Sequence, residues 1–480
     1  MPSYSSDQFY KDWVYAIDKD FQSSDGTPAQ YAPGQPKHWG EEYASIPLPT
    51  VPSSSSLNAD HSLIAVALEH DIQIYATDGD MSLQQTLKGH VSNVDTVRFH
   101  PKDPEALVSC AMNYTGGSVP AEPAIIFWNL DEQRQHRLLS KEAVDQLGKR
   151  AASFVARDIE GLDTTLWELD EGERKSIGQD VGKAITALNV KSQLRDNVKI
   201  HGRLSSSFGS QTFNSTGSSI AYIPGNRQRS NGDDKWDICI WDTIKKETRL
   251  TLVAHRDAIM WIGFSPDDTL IASVSWDKTF RIWSHETGSL VHTFHSNSQN
   301  WTGGFSTDSR FFAGTSGEGR FWVWDLVHGI EVLTHEFGSR GRWCRTLDWS
   351  PDAKQLIFGG QNAGRVIVFD VKRQEVVQER LLSTRECPPD VQRMAKGFLE
   401  ATKVRYLPGS EGAKIVYRTR GDNGLEVYDA KENRKWRFAP AQGENKRSGS
   451  GILILEERGL IASVDGDAIR FWEVPFGGHA

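Results

Sequence analysis

HRDAIMWIGFSPDDTLIASVSWDKTFRIWS, residues 255–284, holds three short apolar segments separated by two turns. AIMWIGF and LIASVS are bounded by SPDD, where Pro266 and Asp267 favour a reversal of the chain. A second turn at Asp277 leads into FRIW, whose alternation has the period of two of a half-buried strand. The layout returns twice without interruption, as GGFSTDSRFFAGTSGEGRFWVWD (303–325) and LDWSPDAKQLIFGGQNAGRVIVFD (347–370). A further strand lies between copies: RLTLVAH, then LVHTFHS, then EVLTHEF. Outward from these copies, the aromatic-tipped segment recurs at Tyr75, Trp128, Trp241, Trp283, Trp324, Phe369, Tyr428 and Trp472. The gaps are 53, 113, 42, 41, 45, 59 and 44 residues, and four of them fit one repeated four-stranded unit of about 40–45 residues.

These segments resemble the WD-repeat family over roughly residues 42–475. Among the tryptophan tips only Trp241 and Trp324 are followed by aspartate, so the resemblance rests on layout more than on the dipeptide. It implies an all-β propeller, a ring of four-stranded blades. Eight aromatic tips favour eight blades, with seven, the commoner family number, as the alternative. The chain stops just after FWEV, and YASIPL (43–48) is positioned to supply the missing outer strand and close the ring. Closure removes exposed sheet edges. The expected organisation is an N-terminal lead (1–41), a propeller (42–475) and a helical insertion within it (140–200). The insertion is read from apolar residues at helical spacing, Val144, Leu147, Ala151, Phe154, Val155, Ile159 and Leu162, and again over 176–190. Rim packing and partner docking both remain open for it.

Bulk properties agree with many short strands joined by tight turns: 480 residues carry 42 glycines, 16 tryptophans and only 5 methionines. A net charge of −9 argues against a nucleic-acid backbone as main partner. Cys110, Cys239, Cys344 and Cys387 have no CxxC spacing and read as thiols, not as a disulfide framework or zinc site. The first residues lack the apolar core of a signal peptide, and no run approaches the roughly 20 apolar residues of a membrane span. A cytoplasmic and/or nuclear setting is expected.

His255, Ser273, Ser275, Asp277 and Trp283 contain the parts of a catalytic triad. The WD-repeat resemblance implies a different role, a buried network in which aspartate accepts from imidazole and a hydroxyl links imidazole to indole. His90 with Trp128 reads as a partial copy, whereas the next unit has Glu318 in place of the aspartate and the following one Ala363. GTSGEGRF (314–321) lacks the lysine and helix of a phosphate loop. His285, His292 and His295 span a turn and an outer strand, which does not favour a metal. Catalytic residues, cofactors and metals are therefore all expected to be none.

In the family the recognition surface is usually the face carrying the loops between second and third strands and those leading into first strands. Carried over, this picks Arg256, Asp257, Trp276, Gln299, Arg342, Trp343 and Asn362 as partner-binding. Tryptophan and arginine dominate interface energetics, although Trp276 and Trp343 also suit packing between blades. The long loops at 113–123 and 224–236 fall on the same face. The expected function is a non-catalytic WD-repeat scaffold binding a protein or peptide there. The alternatives are an enzyme in the central channel, for which Asp95 and Asp348 are the available acids, and a nucleic-acid-associated propeller. Partner identity and oligomeric state are left open.

Overall fold

The computed structural model describes residues 17–32, 42–111, 124–130, 198–205, 209–224, 236–337, 344–360, 364–382, 400–410, 412–419, 425–438 and 451–474. Alternating strands separated by turn residues fold into antiparallel meanders, seven hydrogen-bonded sheets among the described residues. Sheet 1 runs from Ser54–Leu57 to Leu83–Leu87, and sheet 2 from Val94–Phe99 to Glu247–His255. Sheets 3 and 4 run from Ile259–Phe264 to Leu290–His295 and from Asn300–Phe305 to Ile330–Glu336. Sheets 5, 6 and 7 begin at Cys344–Trp349, Ala401–Tyr406 and Gly451–Leu455.

The expectation of eight four-stranded blades, with seven as the alternative, and one helical insertion is corrected in two ways. The sheets hold four, five or seven strands: N-terminal strands add to two of them, and one is extended to seven because Lys199–Leu204 pairs on both sides. Its first half, Lys199–His201, pairs with Ala124–Ile126, and Gly202–Leu204 pairs with Tyr222–Pro224, so the units tipped by Trp128 and Trp241 merge. Gly202 sits where the strand passes between them, and a Cβ there would meet the Tyr222 ring at 2.7 Å. The second correction concerns helix. The described residues contain only short 3₁₀ turns, among them Glu456–Arg458, and no helix of seven residues or more. Residues 140–197 of the expected insertion lie outside the described residues, as do most of both long loops (112–123 and 225–235).

Neighbouring sheets meet through their first and second strands and the segments beside them. Val97 and Phe99 N–H groups donate to Ser54 and Ser56 Oγ, and Gln211 N–H to the Ile262 carbonyl. Thr315 Oγ1 donates to the Cys344 carbonyl, Tyr406 N–H to Asp348, and Arg418 pairs with Asp465. Sheet 7 packs back on sheet 1, since Ile64, Val66 and Tyr75 share a core with Leu455, Val464 and Phe471. The arrangement is thus propeller-like and almost wholly β. The aromatic tips fill the spaces between sheets: Trp324 lies 4.9 Å from Phe280 and stacks on Phe294 at 4.6 Å.

The N-terminal residues are woven into this structure. β1 (Ile17–Lys19) adds to the edge of sheet 5, β2 (Gln30–Tyr31) pairs parallel with Arg434–Lys435 in sheet 6, and β3 (Glu42–Pro47) pairs antiparallel with Ala468–Trp472 in sheet 7. Between β1 and β2, Phe21 is fully buried and stacks on Tyr428 at 4.4 Å.

Candidate functional site

His255 ends an outer strand, Ser273 sits in the second strand of sheet 3, Asp277 in the following turn and Trp283 in the third strand. The fold brings all four together. Indole N–H can only donate, so Ser273 Oγ accepts from Trp283 Nε1 (3.0 Å) and must give its own proton to His255 Nε2 (2.7 Å). His255 Nδ1–H then donates to Asp277 Oδ2 (2.8 Å). Asp277 also accepts the Arg256 and Thr279 N–H groups and the Thr279 hydroxyl. Burial opposes its ionisation, but these bonds outweigh burial and hold the carboxyl well below its ordinary range. Burial dominates at His255 and pushes its imidazole down despite Asp277, so the ring is neutral. A serine fully buried and bonded on both sides has no open face toward a substrate.

Ser275 completes the arrangement. Its hydroxyl donates to the Asp257 carbonyl (2.9 Å) and accepts the Asp277 N–H, fastening the loop that leads into the first strand. That loop presents an exposed Arg256 and a half-buried Asp257, whose carboxylate accepts the Ala258 N–H. Trp276 is half-buried against Trp301, ring edge to ring face at 5.4 Å, and the Arg345 guanidinium covers Trp301 from 4.7 Å. Gln299 is exposed, and its carbonyl accepts the Gly317 N–H. Arg342, Trp343 and Asn362 lie outside the described residues.

A second network joins His90 Nε2 and Trp128 Nε1 at Ser109 Oγ (2.6 and 2.7 Å). Here no aspartate is present, and His90 Nδ1 has no partner among the described residues. Burial, helped by Lys199, lowers this imidazole to about 4. GTSGEGRF forms a strand and hairpin turn, with Gly319 N–H donating to the Ser316 carbonyl. His285 bonds the Asp268 carbonyl and Ser219, and His292 the Leu326 carbonyl, so they face different partners. Among the described residues no three His, Cys, Asp or Glu side chains are grouped to hold a metal.

Asp95 and Asp348 both line a central cavity, yet each has a basic neighbour of its own. Burial raises Asp95 to about 6 against the pull of Arg203 and Arg98. Burial also raises Asp348, against Arg405 and the Tyr406 N–H at 2.9 Å. Residue types alone did not indicate a further cluster in sheet 6, centred on buried Glu426. Glu426 pairs with Arg380 (3.1 Å) and Arg437 (3.7 Å) and accepts the Tyr31 and Tyr417 hydroxyls, while Asp20 pairs with Lys435. Burial would raise Glu426, but Arg380, Arg437 and Lys435 hold it at about 2. Its one sequence signal is the alternation of Lys435 and Arg437 in RKWRF, opposite LEVYD.

Residues 246–284 match the family described as WD domain, G-beta repeat. The chain is 30% identical over 225 residues to periodic tryptophan protein 2 of Arabidopsis thaliana, covering 42% of this chain and 25% of that protein. It is 26% identical over 211 residues to WD repeat-containing protein SL1-17 of Schistosoma mansoni, covering 42% of this chain and 60% of the relative. Transcription initiation factor TFIID subunit 5 of Caenorhabditis elegans matches at 26% over 29% of this chain and 22% of its own length. The matched region is under two thirds of each relative. No helix among the described residues is long and apolar enough to cross a membrane. The repeat match spans the last strand of sheet 2 and the first three strands of sheet 3 in a propeller-like arrangement, and the chain is similar, at a divergent level, to WD40-repeat β-propeller proteins.

Proposed function

We propose that the chain is a non-catalytic WD-repeat scaffold that binds a protein or peptide partner on its loop-rich face, in a cytoplasmic or nuclear setting. The carrying observation is the use made of His255, Ser273 and Asp277. The residues with the parts of a triad are spent internally, and what they hold toward solvent is a loop bearing Arg256. Buried polar groups left unpaired are costly, so this network fixes loop position without offering chemistry. A rigid scaffold with irregular loops is the usual setting for recognition. One relative is by name a subunit of a transcription initiation factor, which supports a part in a larger assembly. The partner-facing set is Arg256, Asp257, Trp276, Gln299, Arg342, Trp343 and Asn362, with Trp276 serving through its packing on Trp301.

The test is quantitative affinity capture from cells with the wild-type chain and with Arg256→Glu/Arg342→Glu. Loss of specific associations by the double variant, with its melting temperature unchanged, is the expected result. Unchanged recovery of every associated protein would sink the assignment of this face.

A further inference from the structure

Every sheet contributes an innermost strand to the wall of one central cavity of about 810 Å³, a volume that would hold a small ligand. Three cations line it, Arg98, Lys403 and Arg405, against two carboxylates, Asp95 and Asp348. Arg405 belongs to sheet 6 but reaches toward sheet 2, its Nη2 lying 3.6 Å from where a Cβ on Gly209 would stand. Arg98 of sheet 2 and Arg405 are near enough to act on each other. The arginines have compensating acids: Asp95 lies three residues before Arg98, and Asp348 faces Arg405. Lys403 has none among the described residues. The charged groups that act on it are Arg405, Arg98 and Arg418, all positive, and with burial they push its ammonium down to about 8. Ser55 also lines the cavity.

We propose that this cavity is an anion-binding site that takes a phosphate group, with Lys403 as the principal ligand and Arg98 and Arg405 beside it. The argument is one of charge balance. A lysine held among guanidinium groups, in a cavity with room for a ligand and an excess of positive charge, is stabilised by an occupant bringing negative charge. Phosphate also supplies three strong acceptor oxygens to ammonium and guanidinium donors. This site is distinct from the loop-rich face, and its test does not depend on that reading.

The experiment is calorimetric titration of the full chain in low-salt, phosphate-free buffer. One arm uses inorganic pyrophosphate, and the other a short phosphoserine peptide beside its unphosphorylated form. Saturable binding of at least one phosphate-bearing probe is expected, weakened about tenfold or more in Lys403→Gln. The exposed-surface control Lys354→Gln should bind like wild type. Because Lys403 has no acid partner among the described residues, Lys403→Gln should fold, and its melting temperature in the absence of probe should equal or exceed wild type. The saturating probe should then raise the melting temperature of wild type but not of the variant. Binding of pyrophosphate alone would identify a free anion as the occupant, and binding of the phosphopeptide alone a phosphorylated side chain. No saturable binding of either probe, or equal binding by wild type and Lys403→Gln, would overturn the proposal.

Discussion

Ser273 links two strands and a loop through one oxygen atom, accepting from Trp283 and donating to His255. Ser273→Ala would strand a buried indole N–H and an imidazole nitrogen together, and a loss of about 1–3 kcal/mol is expected in urea denaturation. A smaller effect than a typical surface substitution would contradict the network's structural role. The histidines give a pH dependence with a definite sign. His90 and His100 are lowered from 6.5 to about 4, chiefly by burial, and His255 is lowered too. The unfolded chain takes up these protons below about 6.5 while the folded chain does not, so stability falls as pH drops from about 6.5 toward 4. Asp277, whose folded value is depressed, adds a loss that begins only below the ordinary aspartate range near 4. Thermal melts should therefore stay level from pH 7.5 to about 6.5 and decline below it, less steeply than the histidines alone would give because Asp95, raised to about 6, acts with the opposite sign, and His90→Gln should flatten the upper part of that slope.

At the scale of elements, the pieces whose sequence signals are weakest make contacts that burial identifies. β1 and β2 are three and two residues long and carry no alternation, yet they bracket Phe21, which closes the core beside Tyr417 and Tyr428. Phe21→Ala is expected to destabilise by about 3–5 kcal/mol, the range for a fully buried aromatic. Hydrogen exchange should show the loss concentrated in Lys414–Thr419 and Leu425–Asp429; an effect below about 1 kcal/mol would mean that the segment only rests on the surface. The merging of two units through Lys199–Leu204 belongs to this scale as well. The 113-residue interval concealed it, because a strand paired half to one neighbour and half to another has the same local pattern as an ordinary one.

For the whole molecule, β3 covers the outer edge of the last sheet while that sheet packs on the first. Deleting residues 1–47 would uncover the row of backbone donors and acceptors along Ala468–Glu473 and take Ile46 from the shared core. Such an edge invites pairing with other chains. Size-exclusion chromatography should find the truncated chain in aggregates or oligomers at concentrations where the full chain elutes at one size; identical profiles would show that β3 does not protect the ring.

Period-two alternation, turn residues and the regular return of an aromatic tip are local properties, and they were enough to read the repeated strands from the amino acids, while the resemblance to the WD-repeat family implied the His255 network. That network was legible because its members sit at set places within one repeat. The pairing of β1, β2 and the two halves of Lys199–Leu204 rests on backbone hydrogen bonds, which are indifferent to side-chain identity, and so emerged only in three dimensions. The same holds for the charges that became buried. Arg380 and Asp20 meet Glu426 and Arg437 from outside their sheet, and Arg98 meets Lys403 and Arg405 from another sheet, so these groups acquire their chemistry only when the ring removes them together from water.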